Sequence, residues 1–169
     1  CGGLDLGFKQ AGFEVPVANE YDKSIFETFE KNFPKTNLIK KSIINLDLSE
    51  LPDNIDGIVG GPPCQGYSGI GIRRSYSVEK KQLPSNHLYQ DMAFFVHKVN
   101  PRMFLFENVE GLLRSRWTKD GKKGEIFKDV LKTFEGIPDY KVKFKLVRAK
   151  DYGVPQNRPR ILIVGIKKD

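Results

Sequence analysis

Leu88-Tyr89-Gln90-Asp91-Met92-Ala93-Phe94-Phe95-Val96-His97-Lys98-Val99-Asn100-Pro101-Arg102-Met103-Phe104-Leu105-Phe106 changes its hydrophobic period part-way along. Leu88, Met92, Phe95, Val96 and Val99 recur at the spacing of one helix face. Pro101 cannot continue that helix, because its ring removes a hydrogen bond and clashes with the preceding turn. Residues 103–106 are then wholly apolar, as in a strand covered on both sides. A helix feeding a buried strand is the repeating step of an α/β fold.

The same alternation extends outward in both directions. Upstream, residues 55–59 read as a short buried strand ending in Gly60-Gly61, and residues 14–19 as an extended segment. Between them Ile25, Phe26, Phe29 and Phe33 mark a helix with Asp22 as its N-cap. Leu4, Phe8 and Ala11 mark a short helix opened by a glycine turn. Downstream, Ile126, Val130 and Phe134 share a helix face, with Gly136 as C-terminal cap. The period then falls to two: Tyr140, Val142, Phe144 and Leu146 alternate with Lys141, Lys143 and Lys145. Residues 161–166 form a last apolar strand, close enough in sequence to pair antiparallel with the preceding one. The pattern predicts a three-layer, doubly wound (Rossmann-like) α/β fold, with a mostly parallel sheet and a terminal antiparallel strand pair.

Composition narrows the function classes. The chain has 169 residues, 39% of them hydrophobic, which suits one soluble globular domain. No apolar run reaches the roughly 18 residues of a membrane span, so no membrane partner is expected and the cytoplasm is the default location. A net charge of +7 suggests a polyanionic partner, since phosphate neutralisation drives nucleic-acid affinity, and a basic surface kept for solubility fits it equally well. Two cysteines, Cys1 and Cys64, and two histidines, His87 and His97, do not make a four-ligand zinc pattern, and no metal is expected. The chain opens inside a glycine turn without an initiator methionine and stops just after a strand. That layout predicts that residues 1–169 are part of a larger protein and lack the strand that should feed the glycine turn.

Three segments carry candidate chemistry. Cys1-Gly2-Gly3 opens the first helix, where the absence of a Cβ lets a nucleotide approach the backbone. About 17 residues after Gly3, Glu20 stands near the distance at which an acid meets ribose hydroxyls, with Tyr21 beside it. A structural turn followed by a surface glutamate fits that segment equally well, and NAD would be met similarly. Gly60-Gly61-Pro62-Pro63-Cys64-Gln65-Gly66-Tyr67-Ser68 places one cysteine in a rigid turn after a strand. The carboxyl ends of strands are where α/β sheets bind ligands, and a thiolate there can act as nucleophile. Glu107-Asn108-Val109 sets a carboxylate at the end of the next core strand, where it could hold or donate a proton. Arg158 and Arg160, in Gln156-Asn157-Arg158-Pro159-Arg160, are spaced to share a strand face.

Together, and in this order along nearly the whole chain, these residues resemble the cytosine-5 DNA methyltransferase family. The Pro-Pro-Cys-Gln block and the Gln-x-Arg-x-Arg block are each specific to it. The resemblance implies S-adenosylmethionine as cofactor and double-stranded DNA with a flipped-out cytosine as substrate. It makes Cys64 the nucleophile at C6 and Glu107 the group facing N3. It has Arg160 hold O2, and Arg158 help fix the loop around Cys64. Cys1, Gly2, Gly3, Glu20, Tyr21, Ile43, Pro62 and Leu88 would line the cofactor pocket, and Asn108 would brace the Pro-Pro-Cys loop. The glycine-rich segment 66–81, with Ser68, Arg73 and Arg74, suits a loop that closes over the displaced base and meets phosphates.

The resemblance also admits a cognate restriction endonuclease system as partner and, in a bacterium, association with the nucleoid. One position departs from the pattern. Ser42 stands where family members usually carry an aspartate for the adenine amino group, which leaves either Ser42 or Asp47 for that contact. An RNA (tRNA) cytosine-5 methyltransferase of the same family would use the same Cys64, Glu107 and Arg160. A non-catalytic nucleic-acid-binding relative would tolerate loss of the nucleophile, which is present here.

Overall fold

The computed structural model describes residues 2–63 and 84–168, in two compact units divided after Ile55.

The first unit is built around a β-α-β step. After helix α1 (Gly3–Gln10), strand β1 (Val17–Glu20) leads through helix α2 (Lys23–Asn32) to strand β2 (Asn37–Lys40). β1 and β2 pair in parallel, Val17 opposite Asn37 and Glu20 opposite Lys40. β1 starts later than the hydrophobic pattern predicts because Pro16 has no N–H for a ladder, although its carbonyl accepts from Asn37 N at 2.9 Å. Asp22 caps α2 as expected, accepting from Ser24 N at 2.9 Å. Phe29 and Phe33 are buried and stack with their centroids 4.8 Å apart. Gly2 precedes α1 in the left-handed region, φ 67°, and a Cβ there would stand 2.3 Å from the Phe33 ring. Glycine is therefore required by packing as well as by dihedral. Two short 3-10 segments, Ile43–Asn45 and Leu48–Glu50, close the unit.

The second unit holds a four-stranded sheet in the order β3-β4-β6-β5. Its strands are β3 (Gly57–Gly60), β4 (Met103–Val109), β5 (Tyr140–Arg148) and β6 (Pro159–Lys167). Helix α3 (Leu88–Val99) joins β3 to β4, and helix α4 (Glu125–Glu135) joins β4 to β5. β3 and β4 run parallel; β6 lies antiparallel between β4 and β5. The terminal antiparallel pair predicted from the sequence is thus β5 with β6. β3 itself is half-buried rather than fully enclosed. α3 ends at Asn100, which takes φ 54° just before Pro101. Gly136 caps α4 at an ordinary helical φ of −75°, and Asp139 supplies the left-handed turn before β5.

Burial alternates along β4, with Phe104, Phe106 and Asn108 on the enclosed face. Phe104 and Phe106 lie 5.1 and 5.2 Å from Phe134 of α4, centroid to centroid. Ile161 and Ile163 of β6 and Val96, Ile126 and Val130 of the helices complete this core. Each such side chain stabilises the fold by roughly 1.5–3 kcal/mol through removal from water. Gly165 admits the Phe104 ring, since a Cβ there would lie 2.0 Å from Cε1. This core holds the carboxyl end of β4 beside the amino end of β6.

Candidate active site

The antiparallel register decides what meets at that corner. Val109 lies opposite Arg160, and Glu107 opposite Leu162. Side chains two residues apart share a face, so Glu107 and Arg160 are diagonal neighbours across the β4–β6 ladder. Their side chains form an ion pair, Arg160 Nε to Glu107 Oε1, at 2.6 Å. They are only 25% and 20% exposed, so water screens the pair less than one on the open surface. Arg160 Nη1 also donates to the Pro159 carbonyl at 2.8 Å, which fixes the plane of the guanidinium.

β3 approaches the same carboxylate from its other side. A Cβ built on Gly61 would stand 2.7 Å from Glu107 Oε2 and 3.5 Å from the Glu107 carbonyl oxygen. One carboxylate oxygen therefore faces Arg160 while the other rests against backbone that has no side chain. Asn108 points to the opposite, enclosed face and is 5% exposed. Its Nδ2 donates to the Pro62 carbonyl at 3.3 Å, and its Oδ1 accepts from Val109 N at 2.9 Å. The bracing expected of Asn108 is present up to Pro62. Cys64 itself lies outside the described residues, as do Cys1, Ser68, Arg73 and Arg74.

Arg158 departs from the expected arrangement. β6 begins at Pro159, so Arg158 stands before the strand, exposed, and does not share Arg160's ladder position. Its N–H bonds back to the Gln156 carbonyl at 3.0 Å, and its own carbonyl accepts from Ala149 N at 3.2 Å. The spacing of two predicts a shared face only inside a strand, and Pro159 marks its edge. Gly61 is a site residue that no motif in the sequence marks as functional. The double glycine at the end of a strand is its signal, but the reason for it appears only with the position of Glu107.

The first unit gathers most of the candidate cofactor residues. Glu20 ends β1, and its Oε1 accepts from Tyr21 N and Asp22 N at 2.8 and 2.9 Å. That pair of bonds orients the carboxylate on the turn after the strand. Tyr21 is 59% exposed. Gly3, in contrast to Gly2, would have nothing within 4 Å of a Cβ, so the first turn of α1 is open to a ligand. Ile43 opens a 3-10 segment and is half-buried. Ser42 precedes it in an extended conformation without a side-chain cap bond. Asp47 is engaged by its own turn: Oδ1 accepts from Ser49 Oγ at 2.7 Å and Ser49 N at 2.8 Å. These bonds, the hydroxyl's first, hold its carboxyl below the usual range. In the second unit Pro62 is half-buried, and Leu88 is the first residue of α3.

The model of C-5 cytosine-specific DNA methylases matches residues 1–169, the whole chain. The chain belongs to this family. A type II methyltransferase of Neisseria gonorrhoeae, M.NgoPII, is 44% identical over 169 residues, covering 100% of this chain and 46% of its own length. M.FnuDI of Fusobacterium nucleatum, also a type II methyltransferase, is 47% identical over 169 residues, again 100% of this chain and 45% of its own. The chain therefore spans somewhat under half the length of these curated relatives. Among solved structures, a prophage-encoded E. coli protein described as a DNA modification methyltransferase superposes with a TM-score of 0.76 at 31% identity. The match covers 98% of this chain and 43% of that one. The fold is the Rossmann-like α/β fold of S-adenosylmethionine-dependent methyltransferases, as the alternation of strands and helices predicts. Among the described residues no helix is long and apolar enough to cross a membrane.

Proposed function

We propose that residues 1–169 carry the catalytic domain of a DNA cytosine-5 methyltransferase. The observation that supports this best is the Glu107–Arg160 pair, set side by side on β4 and β6 with Gly61 against the second carboxylate oxygen. A carboxyl and a guanidinium on neighbouring strands match the N3 and O2 edge of one pyrimidine. The carboxyl meets a ring nitrogen that gains a proton, and the guanidinium meets a carbonyl that gains charge.

Cytosine C5 is a poor nucleophile, and addition at C6 divides the reaction into two easier steps. The Cys64 thiolate adds to C6, Glu107 places a proton at N3, and Arg160 stabilises O2. The electron pair then available at C5 takes the methyl group. Loss of the C5 proton to a base, departure of the thiolate from C6 and return of the N3 proton to Glu107 restore the neutral aromatic ring. Asn108 holds Pro62, and through it the approach to Cys64. S-adenosylmethionine, when bound, supplies the methyl group from its sulfonium. The open first turn of α1 at Gly3, the oriented Glu20 carboxylate and the exposed Tyr21 ring fit its adenosine part. Ile43, Pro62 and Leu88, together with Cys1 and Gly2, keep the cofactor roles that the family resemblance implies.

A base in a duplex cannot present C6, so the substrate is a flipped-out cytosine. Ser68, Arg73 and Arg74 are the proposed contacts of the closing loop, and Arg158 its support. The type II designation of the relatives supports pairing with a cognate restriction endonuclease, and the proposed location is the cytoplasm, at the nucleoid if the source is a bacterium. Incubation of the full-length protein with labelled S-adenosylmethionine and duplex DNA should yield 5-methylcytosine on nucleoside analysis. Label found only in RNA, or at another position of the base, would contradict the proposal.

A further inference from the structure

The segment that follows the candidate site carries a concentration of positive charge that the reaction does not use. Between residues 114 and 123 stand Arg114, Arg116, Lys119, Lys122 and Lys123, against the single acid Asp120. All five cations are exposed, and among the described residues none of them is in an ion pair.

The segment that carries them is nevertheless anchored. It continues from the 3-10 turn Glu110–Arg114 that follows β4, and Leu112 of that turn is fully buried. Ser115 and Trp117 are buried at 6% and 8% exposure, alternating with the exposed Arg114 and Arg116. The Trp117 indole N–H donates to Asp129 Oδ2 of α4 at 2.5 Å, and its ring stacks on His87 at 5.1 Å with 6° between planes. Glu125 is occupied by backbone: Trp117 N donates to its Oε1 at 2.5 Å and Lys122 N to its Oε2 at 3.0 Å. Gly121 makes room for that carboxylate, since a Cβ there would stand 2.1 Å from Oε1. Gly124, at φ 81°, returns the chain by donating to the Ser115 carbonyl at 3.1 Å.

We propose that residues 114–123 form a preorganised phosphate-binding platform for the backbone of duplex DNA beside the flipped base. Glu125 holds the loop's backbone amides and Asp129 its indole, which fixes the loop that displays the cations. The side chains are displayed from a fixed loop, so binding requires less ordering of the backbone than a free loop would. Such contacts set register and affinity without reading sequence. The same cations on an idle surface would serve solubility alone, and the two roles differ in their salt dependence.

The assignment rests on the DNA reading above, and its test separates the two. Binding of the full-length protein to a fluorescent duplex would be titrated over a range of salt concentrations. The loop variants are Arg114→Gln/Arg116→Gln and Lys122→Gln/Lys123→Gln. The control is Lys141→Gln/Lys143→Gln, which removes equal charge from exposed positions on β5. Each cation that meets a phosphate contributes about 0.9 to the slope of log affinity against log salt. Each loop pair should therefore flatten the slope by about 1 to 2 and weaken binding about tenfold near 0.1 M salt. The control should leave the slope unchanged. Loop variants with the wild-type slope, or a control that falls as far, would overturn the platform while leaving the DNA reading intact. A protein that binds matched RNA but no duplex DNA would overturn both.

Discussion

Gly61→Ala tests the geometry around Glu107 with the smallest possible change. The added Cβ would sit 2.7 Å from Glu107 Oε2, whereas ordinary contact begins at 3.4 Å, so one of the two must give. The Gly61 backbone leads out of β3 into the Pro62-Pro63 turn, which Asn108 holds at the Pro62 carbonyl. The carboxylate is the end of a flexible side chain and moves first. Withdrawing Oε2 rotates the group and strains the 2.6 Å bond between Oε1 and Arg160. A displacement approaching 1 Å at a reacting group costs up to about 100-fold in rate, so kcat should fall roughly 10- to 100-fold, or about 1.4–2.7 kcal/mol of barrier. The fold should persist, because no enclosed atom is displaced. Steady-state methyl transfer with DNA and cofactor varied in turn, beside thermal unfolding, separates these outcomes. The KM for S-adenosylmethionine should stay within about twofold, since Glu107 faces the base and uniform cofactor binding is untouched. A variant with wild-type kcat and an unchanged melting temperature would refute the claim that Gly61 sets the carboxylate.

Glu20→Ala should weaken S-adenosylmethionine binding by about 1.5–3 kcal/mol, the range for hydrogen bonds to a charged group, and calorimetry giving the wild-type affinity would remove Glu20 from the site. Phe134→Ala opens a cavity beneath Phe104 and Phe106 and should destabilise the protein by about 3–5 kcal/mol in urea unfolding. Asp22 accepts from Ser24 Oγ and Ser24 N, which hold its carboxyl below the usual range, so its stabilisation of α2 is full above the ordinary aspartate pKa and is lost as pH falls through the lower, folded-state value. Asp22→Asn should accordingly show a shallower loss of melting temperature on acidification, and an acid limb identical to wild type would show that the cap carboxylate does not contribute.

Elements with a sustained period are legible in the sequence, and those defined by their neighbours are not. The stripe from Leu88 to Val99 and the alternation from Tyr140 onward become α3 and β5 because their faces are set by burial. β2 offers only Leu38 and Ile39 as apolar residues, too few to establish a period, and exists because β1 pairs with it. β4 extends beyond its apolar run through Glu107 and Asn108, since β6 continues the ladder as far as Val109. The placement of β6 between β4 and β5 is a matter of partner choice that no local pattern records. Phe144 shares the alternation of β5 but is 50% exposed, packing edge-on against Phe127 at 4.9 Å. At the site, the types of residue were readable from motif order, whereas the ion pair, the clearance at Gly61 and the separation of Arg158 from Arg160 depend on the register of β4 against β6.

The most direct measurement is covalent trapping on duplex DNA carrying 5-fluorocytosine at the target position. Fluorine cannot leave C5 as a proton does, so the adduct stalls after methyl transfer. In the full-length protein the complex should require S-adenosylmethionine, survive denaturing electrophoresis and disappear in Cys64→Ala, while Cys1→Ala still traps. Glu107→Gln should trap poorly, because an amide cannot deliver the proton at N3. Peptide mapping by mass spectrometry should place the base on Cys64. An adduct on any other residue, or trapping that persists without Cys64, would contradict the mechanism.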